Sequence, residues 1–352
     1  MTDFSISTLG SYLQLNGSIR SLQQQLLDGQ KELSTGIKAD LMASLGSQTT
    51  QDVNLRNAYS ETTQFKTTTT LVSSRLDAMQ TALTGIKDAI DKARSQVLSA
   101  TSPVSRQQLQ QMAQTAIDQI NSFLNVQFGG RSLFAGIQTD TIAMQSQTTV
   151  NPSTGLSPQQ AVSQVISNLG PITDAASALA VANGVNGVSS IFDGTNSNPN
   201  LQYTSTFYNG ATTGTLTARL DRGYQIDYGV RADDPALRQT LQGLYMLAAV
   251  PSGSTSDDAF TAWQGQALDH LNNGFQGVID LAAEVGYKQS AVADADTRHD
   301  STLTQLNTQI VNLEQADPYE TSAKLSQLQN QLEATFQVTA RMSQLSLTNF
   351  LT

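Results

Sequence analysis

The chain has 352 residues, 39% of them apolar and 14% charged, with a net charge of −10. That acidity excludes the basic footprint nucleic acid requires and a polybasic contact with a membrane. The absence of cysteine excludes disulfides, thiolate nucleophiles and Cys-ligated metal. It suits either a reducing compartment or a chain exported unfolded.

The length allows two or three domains, and the excess of Gln, Ser, Thr, Asn and Gly over charge suits an extended, polar-surfaced protein. Met1-Thr2-Asp3-Phe4-Ser5 lacks the basic and apolar regions of a secretory signal. No apolar run is expected to approach the roughly 18 residues of a membrane span. Any export is therefore expected to proceed without a cleaved signal peptide.

In chain order, Leu15, Ile19, Leu22, Leu26 and Leu33 fall on a 3-4 heptad pattern interrupted at Gly29, and Gly36 reads as a stop signal. A second helix carries the strongest periodicity. Phe65, Val72, Met79, Ile86 and Ala93 repeat every seventh residue, interleaved with Thr69, Leu76, Leu83, Ile90 and Val97. At 1.5 Å per residue this makes a helix about 50 Å long, and its stripe reads as a helix-packing seam rather than a ligand site. Thr101-Ser102-Pro103 ends it, and a third helix carries Leu109, Met112, Ala116, Ile120 and Leu124 on one face. The short Pro-containing turn implies antiparallel neighbours.

Residues 138–232 differ in kind. No Lys or Arg lies between Arg131 and Arg219, and turn residues punctuate short apolar runs. Residues 215–220 and 224–228 read as strands of a hairpin around Asp221-Arg222-Gly223. Pro158–Leu169 is the best helix in a region otherwise read as mostly β. Asp233-Asp234-Pro235 then starts a helix, with Asp at the N-cap and Pro at its first position. Leu268, Leu271, Phe275, Val278, Ala282 and Val285 form a further seam, continued by Leu303, Leu306, Ile310 and Leu313. Asp317-Pro318 marks a kink or restart. The last helix carries Leu325, Leu328, Leu332, Thr335, Thr339 and Met342 in register, then Leu345, Leu347, Phe350 and Leu351 on more than one side.

The expected fold class is therefore α+β: an elongated antiparallel helical bundle or coiled coil formed by both terminal regions, with an inserted mostly-β outer domain. The expected division is 1–40 with 314–352, 41–137 with 233–313, and 138–232. The two end stripes are too short and narrow to be stable alone, so Leu15, Ile19, Leu22, Leu26, Leu33, Leu325, Leu328, Leu332, Met342, Leu345, Leu347, Phe350 and Leu351 are the candidate assembly interface. Phe65, Val72, Leu76, Met79, Leu83, Ile86, Ile90 and Val97 are the candidate seam of the helical rod.

No catalytic, cofactor or metal site is expected. His270 and His299 lack HExxH-like spacing, and His299, in Asp296-Thr297-Arg298-His299-Asp300, reads as part of a solvated helix face. Gly129-Gly130 reads as a turn, Asp233-Asp234 and Asp257-Asp258 as helix caps, and Asp193-Gly194-Thr195-Asn196 as a plain turn rather than a calcium loop.

Three stretches resemble a known family. Leu33-Ser34-Thr35-Gly36 is similar to the end of the N-terminal helix of flagellins. Residues 125–140, with Gly129-Gly130-Arg131-Ser132-Leu133-Phe134-Ala135-Gly136, resemble the turn by which junction proteins leave their core helices. Residues 313–317, 325–329 and the ending 344–351 resemble the family's C-terminal helix, and 227–235 resembles the return into the helices. The chain thus resembles the flagellin superfamily, and within it the hook–filament junction proteins (hook-associated protein 3). It departs from the family at Ile37-Lys38-Ala39-Asp40-Leu41-Met42, where an Asp-Asp-Pro or Asp-Asp-Ala segment is usual. The resemblance implies a structural axial protein of the bacterial flagellum, not an enzyme, without cofactor. It implies export by the flagellar type III apparatus with a chaperone on the C-terminal helix. It implies a closed ring of about eleven copies between the first hook-associated protein and flagellin, with no nucleic acid or membrane partner. The alternatives are a flagellin filament subunit and, more distantly, a surface adhesin or glycan-binding protein on a helical stalk.

Overall fold

The computed structural model describes residues 4–99, 103–249 and 256–350; within these, the side chains of 4–9, 11–12, 103–105 and 342–350 lie outside the description. The long elements are α1 (Phe4–Thr35), α3 (Thr49–Ser99), α4 (Pro103–Leu124), α9 (Pro235–Ala248), α10 (Asp257–Glu314) and α11 (Pro318–Phe350). Between α1 and α3 lies a short α2 (Leu41–Leu45), whose N-cap Asp40 accepts from the Ala43 amide at 3.0 Å. The inserted segment holds α5 (Pro158–Leu169), α6 (Ala175–Asn183), α7 (Val188–Asp193) and α8 (Tyr203–Thr206). It closes with the antiparallel hairpin of β3 (Thr217–Asp221) and β4 (Tyr224–Asp227). A smaller hairpin, β1 (Gln127–Phe128) with β2 (Arg131–Ser132), follows α4. Its two-residue turn is Gly129-Gly130, with φ of +59° and +75°. A hairpin turn needing positive φ at both central residues selects that pair.

The fold is α+β and mostly helical, and its end helices α1 and α11 pack on each other. The insertion is less β than its composition suggests. Ser157 and Asp174 each form a capping box, and the apolar faces of α5 to α7 turn into the core through Val162, Val165, Val181, Val188, Ile191 and Phe192. Caps plus a core-facing stripe stabilise short helices that turn-rich composition alone would not predict. Ala175–Asp193 also has the length and apolarity of a membrane span, contrary to the expectation that no run approaches it. In the fold it is two helices broken at Gly184–Gly187, with much of its surface buried.

By internal contacts the chain divides into two compact units. A terminal unit joins Met1–Thr63 with Asp300–Thr352, and a central unit spans Gln64–His299. In the central unit, α3 and α10 run antiparallel. Thr69 Oγ1 donates to Asp296 Oδ1 at 3.0 Å, Gln289 Nε2 to Asp77 Oδ1 at 2.7 Å, and Arg94 Nε to Asn272 Oδ1 at 2.7 Å. One residue number rises as the other falls. α9, buried on every side from Thr240 to Ala248, packs against α4 and the insertion helices. An aromatic cluster of Phe192, Tyr203, Phe207 and Tyr245 fills the space beside it, with Phe207 and Tyr245 edge-on at 5.2 Å. Tyr203 is wholly buried and donates its hydroxyl to Ala232 O at 2.8 Å, and burial holds its pKa well above the usual phenol value.

Candidate assembly surfaces

The seam read on α3 is consumed inside the chain. Val72, Leu76, Met79, Leu83, Ile86, Ile90 and Val97 are all buried in the core of the central unit. Phe65, at the end of that stripe, is half-buried and stacks on His299, the ring centroids 6.0 Å apart. His299 is buried rather than solvated, which corrects the expectation for it. Its Nε2 lies 2.8 Å from Leu220 O, an atom that only accepts, so Nε2 carries the proton and donates. Arg75 Nη1 donates to the Tyr228 hydroxyl at 2.6 Å. These two contacts hold the β3–β4 hairpin against α10 and α3. A charged flank (Asp296, Arg298, Asp300) had masked a histidine whose partner is 79 residues away in sequence.

The two stretches that leave and re-enter the helices meet. Leu133, Phe134 and Ala135 are buried, Phe134 O accepts from the Ala232 amide at 2.9 Å, and Ala135 O accepts from the Ala211 amide at 3.0 Å. The exit 133–136 and the return 230–235 are thereby tied side by side.

The end helices behave differently. On α1, Leu15, Ile19, Leu22 and Leu26 are half-buried, while Leu13, Leu27 and Leu33 are exposed, Leu33 at 47%. On α11, Leu325 and Leu328 are buried, Leu332 is half-buried, and Phe336 and Val338 are exposed. Met342, Leu345, Leu347 and Phe350 belong to α11 with side chains outside the described residues, and Leu351 lies outside them altogether. Gly29, the break in the α1 stripe, is a socket. A Cβ built there would stand 2.8 Å from Leu325 Cδ2. The missing side chain admits Leu325 against the α1 backbone.

Both end helices break at one level. After α1, Ile37 forms an antiparallel bridge with Gln315, in the gap between α10 and α11. The Lys38 amide donates to Glu314 O at 2.9 Å and the Ala316 amide to Gly36 O at 3.0 Å. Lys38 Nζ donates to Leu313 O at 2.9 Å, and Glu32 Oε1 accepts from the Ala39 amide at 2.9 Å. The segment 37–42, which departs from the family pattern, is thus one half of a backbone clasp.

Beside the clasp, Arg56 bridges two buried carboxylates. Its guanidinium binds Glu314 closely and reaches Asp52 Oδ2 at 3.3 Å. The bond to Glu314 is the largest cause holding the Arg56 charge, and raises its pKa further. Asp52 and Glu314 are each about 5% exposed, and Asp52 Oδ1 is buried without a partner. Sequence reasoning singled out none of this trio; the signal available was i,i+4 spacing from Asp52 to Arg56. Among the described residues, no three His, Asp or Glu side chains gather as metal ligands would.

Two family descriptions match. The bacterial flagellin N-terminal helical region matches residues 6–139, and the bacterial flagellin C-terminal helical region matches 268–351, together more than half of the chain. No curated protein sequence matches it. Among solved structures, one similar chain comes from Vibrio parahaemolyticus and is described as a flagellar hook-associated protein. It shows 14% identity over 77% of this chain and 99% of its own, with a TM-score of 0.53, a likeness of fold. FlgL of Bacillus cereus is matched at 12% identity over 73% of this chain and 98% of its own, with a TM-score of 0.48. With the family's N-terminal and C-terminal helical regions both present in one chain, the chain belongs to the bacterial flagellin family of flagellar axial proteins.

Proposed function

We propose that the chain is the junction subunit between the hook region and the flagellin filament. The observation that carries an assembly role is the apolar surface left on the end helices. Leu13, Leu27, Leu33, Phe336 and Val338 stay exposed, so the packing of α1 on α11 leaves apolar surface on both helices uncovered. Further copies of the chain supply the missing cover, in a closed ring of about eleven subunits. The first hook-associated protein adjoins the ring on one side and flagellin on the other. Before assembly, an export chaperone covers the C-terminal helix, and the subunit passes unfolded through the flagellar export apparatus to the cell exterior. Two observations favour the junction over the filament: the likeness of residues 125–140 to junction proteins and the fold shared with a protein described as hook-associated.

Deleting residues 325–352 is expected to abolish assembly while the central unit still folds, as read by electron microscopy of the flagella and circular dichroism of the purified chain. Normal filaments in that strain would sink the proposal. Immunolabelling separates the readings within the family. A single band at the hook tip supports the junction, and label along the filament supports the filament subunit.

A further inference from the structure

A hydrogen-bond chain inside the central unit takes no part in the end-helix surfaces. His270 and Gln266 come from α10, Gln239 and Gln242 from α9, Ser189 from α7, and Asn183 from the end of α6. His270 Nδ1 lies 2.6 Å from Gln239 Oε1, which only accepts, so Nδ1 bears the proton. Nε2 then offers a lone pair, and Gln242 Nε2 donates to it at 2.8 Å. The same amide donates its other hydrogen to Ser189 Oγ at 2.7 Å. Ser189 Oγ donates onward to Asn183 Oδ1 at 2.8 Å, and Asn183 Nδ2 to Gln266 Oε1 at 2.5 Å. The neutral imidazole sets the direction of the Gln242 amide, which leaves Ser189 Oγ to donate to Asn183 Oδ1 or to Ala182 O, 3.1 Å away. Gln242 is fully buried, and its Oε1 has no partner.

We propose that His270 is a proton-operated latch: neutral, it fastens α6 and α7 to α9 and α10, and on taking a proton from solvent at Nε2 it releases them. With Nε2 protonated, an N–H faces the Gln242 amide nitrogen, donor against donor. A half-turn of the Gln242 amide would place Oε1 between Nε2 and Ser189. It would also carry the NH2 group to the buried spot where Oε1 now lies without a partner. Either way a buried donor loses its acceptor, which is the costly half of a hydrogen-bond exchange.

The surrounding charges are mixed. Asp193 at the end of α7 and Asp269 on α10 favour the proton, but burial outweighs both and holds the His270 pKa below the usual imidazole value. From α9, Arg238 Nη1 donates to Phe192 O at 2.8 Å, and from α3, Arg94 is held by Asn272; α6 bears no charged residue. Because the folded state disfavours the proton, the latch is at full strength above the unfolded histidine value of about 6.5 and weakens as pH falls below it.

Hydrogen exchange of the full chain, read by mass spectrometry and corrected for intrinsic rates, tests this at about pH 7.5 and about pH 5.5, either side of the ordinary imidazole value. Amides of Ala175–Asp193 are expected to lose protection several-fold at the lower pH, with a ceiling of about tenfold set by the one pH unit below the unfolded histidine value of about 6.5. Those of α3 between Val72 and Val97 are expected to keep theirs. His270→Gln, which cannot take a proton, should remove the pH response. The same response in that variant would overturn the latch. Should the variant not fold, nitrogen NMR of the wild-type imidazole decides. The Nδ1–H tautomer at neutral pH, with titration below the unfolded value, supports the proposal. The Nε2–H tautomer, or titration at or above that value, refutes it.

Discussion

Leu325 and Gly29 show how one missing side chain sets the meeting of two helices. The leucine is 8% exposed and seated against the α1 backbone. Leu325→Ala is expected to destabilise the terminal unit by about 2–3 kcal/mol, at the low end for a buried leucine because the site is near the surface. Adding Gly29→Ala should recover about 1 kcal/mol, since the new methyl occupies vacated space and alanine suits a helix interior better than glycine. Denaturant unfolding of the single and double variants checks this, and a double variant weaker than Leu325→Ala alone would disprove the socket. Arg56 works through charge rather than shape. Arg56→Met leaves Asp52 and Glu314 facing each other with no cation between them. Arg56 is itself half-exposed, so the expected loss is about 1–3 kcal/mol rather than the full penalty of a buried pair. The seam residues of α3 were legible because a seven-residue repeat of apolar side chains has one economical explanation. Arg56 was legible only as far as its i,i+4 partner Asp52. Glu314, Leu220 and Gln242, the partners that give Arg56, His299 and His270 their roles, lie 28 to 258 residues away, and no local pattern encodes such distances.

Helix ends read well wherever a local signal suffices. Gly36 follows the end of α1, Asp234 caps α9 with Pro235 at its first position, and α11 restarts at Pro318. The β3–β4 hairpin and α5 also fall where turn residues and caps place them. α6 and α7 escaped notice because they are too short to show a helical period, and their apolar faces find cover only in the assembled core. The clasp is invisible in sequence for a related reason: a single bridged pair leaves no alternation to detect. Its importance can be measured directly. Ala316→Pro removes the amide that donates to Gly36 O. It is expected to raise hydrogen exchange in residues 25–35 and 318–330 at least several-fold, while 72–97 stays protected. Unchanged exchange near the clasp would show that the bridge contributes little.

At the scale of the whole chain, apolar burial is uneven. The central unit seats Trp263, Tyr203, Tyr245, Phe134, Phe192 and Phe207 at 1% exposure or less, with Trp263 Nε1 donating to Met246 O at 2.8 Å. In the terminal unit the buried apolar side chains among the described residues are Leu45, Ala316, Leu325 and Leu328. Two unfolding transitions are therefore expected in calorimetry of the isolated chain, the earlier one lost when residues 325–352 are deleted. A single cooperative transition in the intact chain would contradict the division. The clasp also has a mechanical meaning. A helix resists bending through its continuous ladder of hydrogen bonds, and here the ladders of both end helices stop at one level, where the chain is joined by two amide-to-carbonyl hydrogen bonds. Bending load on the terminal unit therefore concentrates at residues 36–40 and 314–318, so that α1 and α11 yield there as a pair before either helix is deformed along its own length.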